Sequence, residues 1–296
     1  MEEKSFIADI DGERADTAAA RLSGSSRSLI SSLFEKGYVL INGNVAKKSV
    51  KLKAGDNLSI SFPPEEMPDL TPKNIPFEIL LDKEGYAVIN KPAGLTVHPA
   101  PGNFSDTLVN ALLWTFSIQD EDNGFRPGIV HRLDKDTSGV MIIAKNADYR
   151  TKLSELFALR KIKKKYYAIC SGTPDFTEKL IDAPIGRNKH NRQKMSVRED
   201  GKKAISRFTV KERYKNAFLA EVEIFTGRTH QIRVHAASIG HPLVGDTLYG
   251  GKKLFGFSRQ ALHSARLSFE DPSGEFIDIS LQMPDDMVAL ADNLKG

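Results

Sequence analysis

Five of the 14 prolines in this chain fall within residues 63–76. Proline fixes φ and offers no backbone donor, so the run Pro63-Pro64-Glu-Glu-Met-Pro68-Asp-Leu-Thr-Pro72 can enter neither the interior of a helix nor a central strand. It predicts an extended linker over 63–76 that separates a module at 12–62 from a larger domain at 77–296. No apolar stretch approaches the ~18–20 residues needed to cross a bilayer, so no transmembrane helix is expected. The start, Met1-Glu2-Glu3-Lys4, lacks the apolar core of a secretory signal. The single cysteine, Cys170, sits in the apolar run Tyr-Ala-Ile-Cys and has no partner for an intramolecular disulfide. A cytoplasmic protein is the expectation.

The net charge is only +4, but it is unevenly spread. Residues 1–11 carry −3 and residues 269–296 carry −6, whereas 12–62 carry +4 and 160–207 carry +9. Two basic regions masked by acidic ends suggest a polyanion held at two places. A basic run by itself reads equally as a solvated face.

The small module reads as two helices followed by short strands. Leu29, Ile30, Leu33 and Phe34 mark one face of a helix over 27–36, capped by serines and closed by Gly37. Asn42-Gly43 between Tyr38–Ile41 and Asn44-Val45 is a hairpin signal, and Leu58, Ile60 and Phe62 alternate as a strand. The pattern resembles the S4 RNA-binding module. The resemblance is carried by Ser26-Arg27-Ser28, Gly37-Tyr-Val-Leu-Ile-Asn-Gly43 and Leu52-Lys-Ala-Gly-Asp56, with Arg14-Ala15-Asp16 departing slightly from its Arg-Leu-Asp. It implies RNA contacts through Arg27, Lys47, Lys48 and Lys51.

The large domain offers strands at 77–81, 86–90, 139–144, 165–170, 205–210, 218–225, 261–268 and 276–281, and helices at 106–116, 147–159, 229–239 and 285–293. Several strands follow one another without an intervening helix. That favours an α+β fold, a mostly antiparallel mixed sheet with flanking helices, over a doubly wound one.

The densest polar segment is Gly128-Ile-Val-His-Arg-Leu-Asp134-Lys-Asp-Thr-Ser-Gly139, which leads into the apolar run Val140–Ala144. Polar groups in a loop before a buried strand are a common active-site layout. A single carboxylate positioned by cations fits better than an Asp134/Asp136 pair, because proton-sharing carboxylates usually come from separate elements. His230 and His235 are five apart, not the four of a helical metal pair, and no cysteine cluster joins them, so no metal is expected. No cofactor motif is present, and no cofactor is expected.

His131-Arg132-Leu133-Asp134 with Lys135–Gly139 resembles the signature of the RluA/RluD-type pseudouridine synthases. Three further segments resemble that family in order: Asn90–Pro99, Lys164-Lys165-Tyr166-Tyr167-Ala168 and Gly227-Arg-Thr-His-Gln-Ile-Arg-Val-His235. His241–Asp246 and Tyr249-Gly250 continue the pattern. The resemblance spans residues 12–282 and implies the pseudouridine synthase fold. It also implies isomerisation of uridine to pseudouridine without a cofactor, on large-subunit ribosomal RNA or a pre-ribosomal particle. It makes Asp134 the carboxylate, whether it attacks C1′, attacks C6 or assists proton removal. Arg233 becomes its charge partner and Tyr166 the aromatic residue against the uracil. Arg132 is expected to fill the space left by the flipped base, with His131 structural or RNA-contacting. Lys163, Lys164, Arg187 and Arg192 read as phosphate contacts. The competing readings are a non-catalytic RNA-binding or ribosome-assembly factor, and the same chemistry on transfer RNA.

Overall fold

A computed structural model describes residues 1–64, 68–100, 103–118 and 126–296. It divides into two compact units, Met1–Met67 and Pro68–Gly296.

The first unit comprises β1 (Glu2–Ile7), α1 (Ala15–Ser23), α2 (Arg27–Glu35), β2 (Val39–Ile41), β3 (Asn44–Val45) and β4 (Asn57–Phe62). The strands form an antiparallel sheet in the order β1-β4-β2-β3. Ala15, Ala18 and Ala19 let α1 lie close against Ile30 and Leu33 of α2, and Val39, Leu58 and Ile60 of the sheet complete the core. The Ser26 hydroxyl accepts from the Leu29 N–H and starts α2. Gly24, at φ 67°, ends α1. The unit begins earlier than residue 12, because β1 pairs with β4 along its whole length.

The second unit contains β5 (Glu78–Asp82), β6 (Tyr86–Lys91), α3 (Leu108–Phe116), β7 (Ser138–Ala144), α4 (Ala147–Ala158), β8 (Lys163–Ser171), β9 (Glu178–Asp182), β10 (Ile185–Arg187), β11 (Met195–Val197), β12 (Ile205–Arg213), β13 (Ala217–Ile224), α5 (Gln231–Ser238), β14 (Leu262–Glu270), β15 (Phe276–Ser280) and α6 (Asp285–Lys295). One mixed sheet runs β5-β6-β7-β14-β8-β13-β12-β9, with β15 added to β14. This is the α+β architecture expected from the strand spacing. Phe218, Ala220 and Val222 alternate on the face covered by α3 and α5. On the other face α4 packs through Leu153, and α6 packs through Met287 and Leu290. Cys170 is buried and free.

Residues 68–76, extended as their prolines require, are strapped onto α3. The Asn110 amide donates to the carbonyls of Asp69 (2.7 Å) and Thr71 (2.9 Å), while its oxygen accepts from the Thr107 N–H at the helix start (2.9 Å). Residues 65–67 of the expected linker lie outside the described residues. Among those described, no helix is long and apolar enough to cross a membrane.

The feature that creates the site is a fork in the sheet. β7 and β14 run parallel for only two pairs, Ser138↔His263 and Gly139↔Ser264, before β14 turns to β15. Gly139 sits at the fork with φ 115°, and a Cβ there would lie 2.2 Å from the Ser264 carbonyl oxygen. Gly139→Ala is therefore expected to destabilise the second unit by roughly 2–4 kcal/mol. Thermal unfolding followed by the fluorescence of Trp114, the single tryptophan, reads this directly; an unchanged midpoint would contradict it.

Candidate active site

As β14 leaves, residues 128–131 line the open edge of β7. The Gly128 carbonyl accepts from the Ala144 N–H, and His131 Nε2 accepts from the Ile142 N–H at 2.9 Å. The His131 ring also stacks on Phe157, with centroids 4.4 Å apart. Burial, with Lys164 nearby, pulls its pKa down to about 3, so the ring is neutral and serves the fold as an acceptor.

The loop that follows is held by its backbone. Lys91 Nζ, fully buried, donates to the carbonyls of Pro92, Leu95 and Lys135 at 2.7–3.0 Å. Arg259 Nη1 donates to the Asp136 carbonyl at 3.1 Å, and the Gln260 amide donates to the Thr137 hydroxyl at 3.2 Å. These bonds leave the Asp134 side chain free to face the pocket.

Arg233 projects from α5 and is 7% exposed. Its Nη1 donates to Asp134 Oδ2 at 3.0 Å, while Nε and Nη2 grip Asp246 at 2.7 and 2.9 Å. One guanidinium thus bridges two carboxylates, and Asp246 is 2% exposed. The Tyr249 ring lies under Arg233, 5.1 Å from its central carbon. The Tyr249 hydroxyl accepts from the Met195 N–H and shares a 2.7 Å hydrogen bond with His230 Nδ1. His230, at φ 55°, places Nε2 3.9 Å from Asp134 Oδ1, and burial lowers its pKa. Among the described residues, Oδ1 has no hydrogen-bond donor. Tyr166 on β8 is buried, and burial raises its phenol pKa, so the hydroxyl stays protonated and the side chain uncharged.

His131, Asp134, Tyr166, His230 and Arg233 line a pocket of about 720 Å³. Its cations are Arg132, Arg160, Lys163, Lys164, Arg228 and Arg233, and its carboxylates are Asp134 and Glu223. The structure thus gathers Asp134, Tyr166, Arg233, His131, Arg132, Lys163 and Lys164 in one cavity. Arg187 and Arg192 lie on the β10–β11 hairpin outside the lining, where Arg187 Nη1 donates to the Arg192 carbonyl at 2.6 Å. In the first unit, Lys47 and Lys51 are exposed, Arg27 is 3.6 Å from Asp16, and Lys48 bonds Ser31 and Glu35 at 2.8 Å. Sequence reasoning assigned no role to Asp246, Tyr249 or Lys91, although all three stand in segments that carry the family resemblance. Among the described residues, no group of three or more His, Cys, Asp or Glu side chains is placed to hold a metal ion.

Two expectations follow from this geometry. Asp246→Ala leaves Arg233 buried with half its partners and should cost about 3–5 kcal/mol of stability; a denaturation midpoint matching the wild type would contradict this. The second concerns acid. His131 is held down to about 3, and burial holds His98 and His263 down to about 4. Their unfolded forms protonate near the ordinary value of about 6.5, so unfolding takes up protons below that pH. Stability should therefore be full above pH ~6.5 and fall towards pH ~4, each ring contributing up to about 1.4 kcal/mol per pH unit. Denaturant titrations across that range test this, and a flat profile would contradict it.

Comparison with known proteins adds a second line of observation. Residues 85–238 match the family model described as RNA pseudouridylate synthase. A ribosomal large subunit pseudouridine synthase D of Zymomonas mobilis is 40% identical, over 98% of this chain and 96% of its own. An uncharacterized RNA pseudouridine synthase of Bacillus subtilis is 40% identical, over 91% and 90%. Among solved structures, human RNA pseudouridylate synthase domain containing 4 is similar with a TM-score of 0.59 and 26% identity, covering 73% of this chain and 92% of its own.

Proposed function

The chain belongs to the RNA pseudouridylate synthase family and is an RNA pseudouridine synthase, and from that premise we propose that it isomerises uridines of large-subunit ribosomal RNA, using Asp134 on a base flipped into the pocket. The observation that carries the role of Asp134 is its bonding. Arg233 fixes Oδ2, while Oδ1 is left open to the cavity that Tyr166 also lines. The substrate reading is supported by the relatives named for the large ribosomal subunit, which align with this chain almost end to end.

In this reading the N1–C1′ bond of uridine breaks, the uracil turns while held in the pocket, C5 joins C1′ and gives up its proton, and N1 takes one up. Asp134 supplies the carboxylate that the detached sugar or base requires. Tyr166 gives the uracil a flat apolar wall. Flipping the base costs a few kcal/mol, offset by stacking and by phosphate contacts. The exposed Arg132 at the pocket lines the gap left in the RNA, where a guanidinium plane stacks on neighbouring bases. The first unit acts as an S4-type clamp, presenting Arg27, Lys47, Lys48 and Lys51 to RNA phosphates.

Tritium release from a large-subunit ribosomal RNA transcript carrying 5-tritiated uridine tests the proposal. The wild-type chain should release tritium, and Asp134→Asn should lower the rate by at least about a thousandfold while leaving RNA affinity within roughly threefold. Turnover retained by Asp134→Asn would remove Asp134 from the chemistry. Release from transfer RNA but not from the ribosomal transcript would overturn the substrate assignment.

A further inference from the structure

The cations lining the pocket are not equally engaged. Arg233 is held by two carboxylates, but Lys164 has none. Its Nζ lies 5.5 Å over the Phe157 ring and makes no hydrogen bond or ion pair among the described residues. It is half-buried, where a charge without a counter-ion is unfavourable. The pocket offers no internal relief. Asp134 is engaged by Arg233 at 3.0 Å and Glu223 by Arg207 at 3.4 Å.

The charged or titratable groups that face Lys164 are Arg228, in the turn after β13, and His131, in the loop before β7. Arg160, beyond α4, and Lys163, on the same strand, line the same cavity. His131 is neutral, and the two carboxylates of the cavity, Asp134 and Glu223, are taken by Arg233 and Arg207, so no carboxylate pairs with the Lys164 ammonium. Burial, with Arg228 adding to it, pulls the Lys164 pKa down to about 8. Arg228 itself is directed by a 3.2 Å bond from Nε to the Lys203 carbonyl.

Lys164 and Tyr166 are two apart on β8, so they share a face and stand roughly 6.6 Å apart along the strand. A uracil lying against Tyr166 and Asp134 extends its sugar and phosphate in that range. We propose that Lys164, with Arg228 beside it, takes one backbone phosphate of the target nucleotide, so that the pocket recognises a uridine nucleotide by phosphate as well as by base. The proposal rests on the reading of the cavity as the uridine site.

The consequence is proton-linked binding. A phosphate beside Lys164 favours its charged form and raises its pKa in the complex. Below pH ~8 the lysine is already charged and affinity is level with pH; above it, binding must take up a proton, and affinity falls by up to about tenfold per unit. An arginine at 164 stays charged throughout and removes the dependence.

The test uses the full chain and an end-labelled hexauridylate, with affinity followed by fluorescence anisotropy at about pH 7 and about pH 9 over a range of salt. Wild-type affinity is expected to fall roughly three- to tenfold between the two pH values, and Lys164→Arg should bind equally at both. Lys164→Met should bind more weakly at pH ~7, show no fall, and have a salt slope smaller by about 0.7, the loss of one phosphate contact on a single strand. A purely structural lysine would not make the pH dependence vanish in the arginine variant. Wild-type affinity level with pH, or Lys164→Met with the wild-type slope, overturns the subsite. Tritium release by the wild type separates this from the proposed reaction. Release without pH-linked binding overturns the phosphate subsite alone, and pH-linked binding without release overturns the isomerisation alone.

Discussion

The site depends on one guanidinium that bridges two carboxylates. Three charged groups that are largely out of water are tolerable because each guanidinium nitrogen of Arg233 has a carboxylate acceptor: Asp246 on one side, Asp134 on the other. The bridge joins the loop before β7 to α5, 99 residues further on, and to the turn at 245–249 that follows α5. Removing Arg233 leaves two carboxylates without their shared partner, and removing Asp246 leaves the buried guanidinium with one bond of three, so the bridge is a condition of the local fold. It also leaves the cluster with one net negative charge, facing a pocket lined by cations.

The fork between β7 and β14 supplies the space for that bridge. In an unbroken sheet the β7 edge would be taken up by its neighbour. Here the Gly128 carbonyl and the His131 ring satisfy it instead, and the loop beyond is pinned by Lys91, Arg259 and Gln260 through backbone carbonyls and a hydroxyl. The loop's geometry is set without using the Asp134 side chain. A carboxylate whose position is fixed before substrate arrives needs little reorganisation during reaction.

Much of this was legible in the sequence, where the signal is local. The alternation at Phe218, Ala220, Val222 and Ile224 is β13, and the run closing at Gly240 with Pro242 behind it is α5. β1 was not legible, because Glu2–Ile7 is acidic, mostly exposed and shows no buried alternation; only its pairing to β4 makes it a strand. The prolines marked the break between the two units but not its anchoring, which depends on Asn110, more than 30 residues away in sequence. At the site, the pairing of Asp134 with Arg233 came from family resemblance alone. The role of Asp246 needed the tertiary path that returns the chain to α5. His131 stood among polar neighbours as an RNA contact or a structural residue, and the Ile142 N–H it accepts from is set by the fork.

The central claim is that Arg233 works by geometry as well as by charge. Lysine keeps the charge but is a single point donor, unable to grip Asp246 with two bonds while holding Asp134 with a third. The most direct measurement is pseudouridine formed in a large-subunit ribosomal RNA transcript by Arg233→Lys against wild type, with RNA affinity measured alongside. The bridge predicts a rate lower by at least about a hundredfold at nearly unchanged affinity. Wild-type turnover by Arg233→Lys would show that a positive charge alone suffices and would contradict the account.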